Sequence, residues 1–235
     1  MSLVIALKGK DCVVAASDSQ VTSQSSGGPI KHVIKKIYII NDSVIFAATG
    51  TISLIQKSFT IVKQFRNELE KGASGKLIDS ITNCLFPIIK KASDDFKAYH
   101  GTNEGAPSVD IILIAPDKKG EPTIWHIGKD GNDENFDEIG YICSGGADTF
   151  GYSIINSYYA HNLNVEKLIL ISYRTLKEAT RINAYGLGEP IDVLVKRKGE
   201  KARMLSRGEM KKIEGVYVRW KMHDSVFLNT LKVKL

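Results

Sequence analysis

The stretch Ser2-Leu3-Val4-Ile5-Ala6-Leu7-Lys8-Gly9-Lys10-Asp11-Cys12-Val13-Val14-Ala15-Ala16-Ser17-Asp18 carries apolar runs rich in Val and Ala, with Ile5 in the first, on both sides of a charged, glycine-containing tetrapeptide. Branched apolar residues favour strands and the tetrapeptide at 8–11 favours a turn, so residues 3–16 read as a β-hairpin. A polar segment at 22–29, with two adjacent glycines and a proline, reads as a loop. A further strand pair follows at 36–40 and 44–48, around an Asn41-Asp42 turn.

Beyond residue 52 the period changes. Ile52, Ile55, Phe59, Val62 and Leu69 recur at helical spacing and predict a helix ending near Gly72. A second helix opens at Ser74 and reaches Tyr99, with Leu77, Ile81, Leu85 and Ile88 on one face and Pro87 inside it as a source of a kink. Residues 108–115 and 122–127 flank a proline- and glycine-bounded turn, and 138–143 reads as a third strand beside them, making a second sheet. Helices are expected at 148–160 and 165–181, the latter with Asn164 as N-cap. Strands at 191–195 and 202–205 precede a capping box from Ser206 to Glu209, a short helix, and a strand at 216–221. Strands, two helices, strands, two helices, strands is the order of a layered α+β fold. No repeat, low-complexity tract or long linker divides the 235 residues, so 1–235 is expected to be a single domain.

With 43% hydrophobic and 25% charged residues the composition is that of a folded globular chain. Its longest apolar runs, such as Leu168-Ile169-Leu170-Ile171, are too short to cross a bilayer, and no export signal is visible. A cytoplasmic location without a membrane partner is expected. Three scattered cysteines and five histidines lack metal-ligand spacing, so neither metal nor cofactor is expected. The net charge of +6 is not gathered on one element. Its densest run, Lys196 to Arg203, contains Gly199 and Glu200 and falls at an expected turn, so it reads as a solvated hairpin tip and not as a nucleic-acid surface.

Several short motifs resemble the proteasome family of N-terminal nucleophile hydrolases. Ser2-Leu3-Val4-Ile5-Ala6-Leu7 looks like the start of a mature β-type subunit, whose first residue is a nucleophilic threonine or, less often, serine. Val13 to Gln20 resembles the second strand, and Asp18 stands sixteen positions after Ser2, as the family's acidic residue does. Lys35-Lys36-Ile37-Tyr38 resembles the strand of the catalytic lysine. Ala48-Thr49-Gly50 resembles the segment whose glycine N–H lines the oxyanion hole. Cys143-Ser144-Gly145-Gly146 resembles the turn that supplies a serine hydroxyl. The resemblance covers roughly residues 2–205 and implies a four-layer αββα sandwich with two antiparallel sheets.

It also implies a chemistry. After removal of Met1, Ser2 would supply both the attacking hydroxyl and, through its α-amine with a pKa near ~8, the base. Asp18 would hold Lys36 beside it, Gly50 would donate to the oxyanion, and Ser144 would hold a proton near the amine. Val21, Thr22, Ile34, Ala48 and Ile52 fall where the family lines an apolar specificity pocket. Rings of the chain, fed by an ATP-dependent unfoldase, would cleave peptide substrates inside a chamber. Two positions depart from the family pattern: Asn183 replaces an aspartate and Gly186 a serine, both near the terminal amine. Those departures suit an inactive structural ring subunit, and a hydrolase of small amides on the same fold is a third reading. Structural readings stand beside the catalytic ones: Asp18 and Lys36 as an ion pair, Gly50 as a tight turn, Ser144 as an N-cap and Asn183 as a loop residue.

Overall fold

The computed structural model describes residues 2–25, 28–182 and 186–230, with side chains for all of these except 22–25, 28–30, 225 and 227–230. The apolar run at its head forms the expected hairpin: β1 (Leu3–Lys8) and β2 (Cys12–Asp18) pair antiparallel, Val4 opposite Ser17 and Lys8 opposite Val13. Both strands are buried on both faces, which demands a layer on each side. Successive side chains point to opposite faces of a strand, so Leu3, Ile5 and Leu7 serve one layer and Val4 and Ala6 the other.

The remaining elements supply those layers. After β3 (Gln20–Ser25), β4 (Gly28–Val33), β5 (Ile37–Ile39) and β6 (Ile45–Gly50) come α1 (Ile52–Gln64), α2 (Arg66–Lys71) and α3 (Gly75–His100). Then follow β7 (Val109–Pro116), β8 (Pro122–Ile127), β9 (Asp133–Asn135) and β10 (Tyr141–Gly145), α4 (Asp148–Tyr158) and α5 (Val165–Ile182), β11 (Ile191–Arg197), β12 (Arg203–Met204) and α6 (Arg207–Thr230). One antiparallel sheet runs β10-β1-β2-β11-β12 and the other β5-β6-β7-β8-β9. The sheets meet through Val4, Ala6, Ala15, Ala47, Ile112 and Ile124. Leu168, Ile171 and Leu176 of α5 cover the outer face of the first sheet, and Ile78, Ile81 and Leu85 of α3 that of the second. Each such aliphatic side chain contributes about 1.5–3 kcal/mol by leaving water. The result is the αββα sandwich.

Four expectations change. Of the loop expected over 22–29, the described residues 22–25 and 28–29 are strand, belonging to β3 and β4, in which Gln20 pairs with Val33 and Ser25 with Gly28. The helix expected over 52–72 divides at Phe65, whose φ of −90° and ψ of 11° end α1 before α2 begins. The strand expected at 138–143 is β10, and it joins the first sheet beside β1, Ile5 opposite Cys143, while the short β9 completes the second.

At the C-terminal end, the strand expected at 216–221 is helix. The capping box forms as expected, with Ser206 N–H donating to Glu209 Oε2 at 2.7 Å and Glu209 N–H to Ser206 Oγ at 3.3 Å, but α6 then continues through 221. Met210, Ile213, Tyr217 and Trp220 recur at spacings of three and four and pack on the α4–α5 layer. Arg174 lies against the rings of both Tyr158 and Trp220, at 4.8 and 4.1 Å, and pairs with Asp224 at 2.9 Å. This packing outweighs the strand preference of Val216-Tyr217-Val218.

The basic run at 196–203 does form a turn, between β11 and β12, but is only partly solvated. Lys196 is buried, Lys198 pairs with Glu121, and Lys201 pairs with Asp42 at 2.7 Å.

Candidate active site

The layer between the sheets is filled by alternate residues of each strand, and toward one end the filling turns polar on five segments at once. On β1 the inward sequence is Ala6, Val4, then Ser2; on β10 it is Ile142, then Ser144; on β6, Ala47, then Thr49. On β7 Ile112 gives way to Asp110, and on β8 Ile124 gives way to His126. These polar ends line one cavity of about 640 Å³. A strand that places polar and charged side chains where its pattern calls for core residues breaks a local rule, as functional sites do.

Beside the cavity, Asp18 ends β2 with its carboxylate fully buried and fully bonded. Its Oδ1 accepts the Leu3 N–H at 2.9 Å and the Lys36 ammonium at 2.7 Å; its Oδ2 accepts the N–H groups of Gln20 at 3.2 Å and Gly188 at 3.3 Å. Lys36 Nζ donates also to the Gln20 carbonyl at 2.7 Å. Burial pulls the Lys36 ammonium below the usual lysine range, and Asp18 opposes that shift. One oxygen of Asp18 thus ties the residue after Ser2 to a buried cation.

Two glycines let backbone approach at the site. Gly50 has φ 122°, and a Cβ there would lie 2.2 Å from the Ser108 carbonyl oxygen. Gly145 also has φ 122°, and a Cβ would meet the Ser2 carbonyl oxygen at 2.0 Å. Between them the hydroxyls of Thr49 and Ser144 are 2.9 Å apart and buried.

Of the residues singled out from the sequence, Ser2, Gly50, Ser144 and Val21 line the cavity, and Asp18 and Lys36 form the buried pair next to it. Asn183 lies outside the described residues. Gly186 is described, and its carbonyl accepts Gln20 Nε2 at 2.8 Å. Among the expected pocket residues, Ala48 is in the core under α1 and α3, Ile34 is half-buried with its N–H on the Ser19 carbonyl, and Ile52 is exposed at the start of α1. None of these three lines the cavity, and the Thr22 side chain lies outside the described set. Sequence reading missed Thr49 as a hydroxyl donor, and it missed Asp110, His126 and Glu134 of the cavity wall. The signal available in the sequence was a charged residue inside an apolar run, as in Val109-Asp110-Ile111-Ile112.

A sequence model of proteasome subunits matches residues 2–195, most of the chain. The chain belongs to the proteasome subunit family. Among solved structures, the Gly-1 mutant of Anbu from Hyphomicrobium sp. strain MC1 superposes over 100% of both chains with a TM-score of 0.71 at 12% identity, a likeness of fold. No curated protein matches the sequence. The proteasome-family match ends within β11, so β12 and α6 lie beyond it. Among the described residues of this proteasome-family chain, no helix is long and apolar enough to cross a membrane.

Proposed function

We propose that this chain is a peptidase subunit of an N-terminal nucleophile type, acting as one domain within a self-compartmentalised ring in the cytoplasm, with Ser2 as nucleophile. The observation that carries the reading is the shared Asp18 oxygen: it fixes the Leu3 amide and the Lys36 ammonium together, beside the cavity that Ser2 and Gly50 line. Once the bond before Ser2 is cut, the free amine takes the proton of the Ser2 hydroxyl as Oγ attacks the scissile carbonyl. The positive charge of Lys36 favours the developing alkoxide and lowers the proton affinity of the amine. The Gly50 N–H donates to the tetrahedral oxyanion, a contribution of about 3 kcal/mol for donors of this kind. Proton return from the amine releases the leaving peptide, and water cleaves the remaining ester. Ser144, held by Thr49, steadies the proton at the amine.

A second reading, a ring subunit without catalysis, draws on Gly186, which brings no hydroxyl to the segment bonded to Gln20. Intact-mass spectrometry and a β-lactone or epoxyketone probe separate the two. A chain that begins at Ser2 and gains one probe mass on that residue supports the peptidase; an unlabelled Ser2 with a free amine, in an assembled ring, supports the scaffold. An ATP-dependent unfoldase is the expected partner of the active ring.

A further inference from the structure

The cavity extends from Ser2 to a wall of different character. Across three adjacent strands, Asp110 of β7, His126 of β8 and Glu134 of β9 form a row on the inward face of the second sheet, with Phe136 just beyond. His126 and Glu134 are directly paired across their strands, and His126 Nε2 lies 3.6 Å from Asp110 Oδ1. The Phe136 ring meets the imidazole edge-on at 6.0 Å between centroids. Asp110 also accepts the Lys129 N–H at 3.2 Å, whereas Glu134 is exposed and its carboxylate has no hydrogen-bond or ion-pair partner among the described residues.

The same inward positions, two residues further into the sheet, are Ile112 and Ile124. An apolar subsite would continue that pattern; this wall abandons it. With Asp148 also in its lining, the cavity's side chains present three carboxylates and one ammonium, that of Lys129. Low-dielectric walls strengthen the field that such an excess of one sign creates. Phe136 and Tyr152 add aromatic surface of the kind that receives a guanidinium or ammonium group.

We propose that the Asp110–His126–Glu134 wall is a subsite for a cationic side chain, lysine or arginine, of the peptide whose scissile carbonyl sits at Ser2. This rests on the peptidase reading for the identity of the bound molecule. Its recognition is electrostatic, with Glu134 as the uncommitted carboxylate that meets the incoming cation and Asp110 as the carboxylate already engaged by the Lys129 N–H and adjacent to His126.

The test uses the full chain and internally quenched octapeptides that differ only in carrying Arg, Ala or Glu at one position on either side of the cut. At one such position Arg should be preferred over Ala and Ala over Glu. Glu134→Gln should lower the Arg-to-Ala ratio of kcat/KM roughly fivefold, the scale of one partly exposed ion pair, and Glu134→Lys should invert the Arg-to-Glu preference. Ratios that are the same in all three proteins overturn the subsite. Should the wild-type chain cleave none of the peptides, the peptidase reading fails, and binding of the same peptides to Ser2→Ala by fluorescence polarisation decides the subsite alone. An Arg-over-Glu preference that Glu134→Lys inverts upholds it; equal binding, or none, overturns it.

Discussion

The hydroxyl oxygens of Thr49 and Ser144 lie 2.9 Å apart, one on each sheet, and form a hydrogen bond across the sandwich at the edge of the cavity. Both are buried, so each depends on the other for its bond. Thr49→Val keeps the shape but strands the Ser144 hydroxyl, which should cost about 1–3 kcal/mol in a urea unfolding series. Probe labelling of Ser2 should slow in the same variant, and Thr49→Ser should recover both properties.

The Asp18–Lys36 pair is buried on both sides. Removing one partner of such a pair typically costs about 3–5 kcal/mol, because the other charge stays behind in a dry site. Lys36→Met should show that loss by chemical denaturation. The double variant Asp18→Asn with Lys36→Met should lose less than the two single losses added together, the signature of direct coupling.

Burial lowers the proton affinity of Lys36, which gives its alkaline behaviour a sign. The folded chain releases this proton at a lower pH than the unfolded chain does. Between those two values the unfolded state binds more protons, so stability linked to this group rises with pH; below the folded value the cost of the buried charge is fully present. Activity responds in the other direction, since the proposed mechanism needs the cation. The alkaline limb of the labelling rate should therefore lie below the range of an exposed lysine, and Lys36→Arg should move it upward, because a guanidinium stays charged.

The three thiols should react unequally. Cys12 is buried, with its pKa pushed up to about 11 by burial and by Asp11; burial also pushes up that of Cys143, while Cys84 is exposed. Iodoacetamide at pH 8 should add to one thiol of the native chain and to three after denaturation, counted by mass, because the thiolate is the reactive form. A second adduct on the native chain would contradict the packing of β2 or β10.

Local features were legible in the sequence where local chemistry decides them. The β1–β2 hairpin follows from valine, isoleucine and alanine around a turn, and the α6 cap from Ser206 and Glu209. Asp18 and Lys36 were singled out through the resemblance of their strands to proteasome-family motifs, and the fold brings them to 2.7 Å. What failed was non-local. No property of residues 138–143 says that β10 pairs with β1, well over a hundred residues earlier, instead of with β8. Val216-Tyr217-Val218 reads as strand until α5 is present to receive Tyr217 and Trp220. The charged wall was hidden for the same reason, since Asp110 is an inward residue only when the register of β7 is known.

Asp18 grips the amide of Leu3, the residue after Ser2, and leaves the amine of Ser2 out of its bonding. The anchor therefore does not depend on whether anything is attached ahead of Ser2. Under the proposed mechanism, maturation would then be a purely chemical event: a single cut would expose the base in surroundings already assembled to use it, with no rearrangement of the chain to wait for.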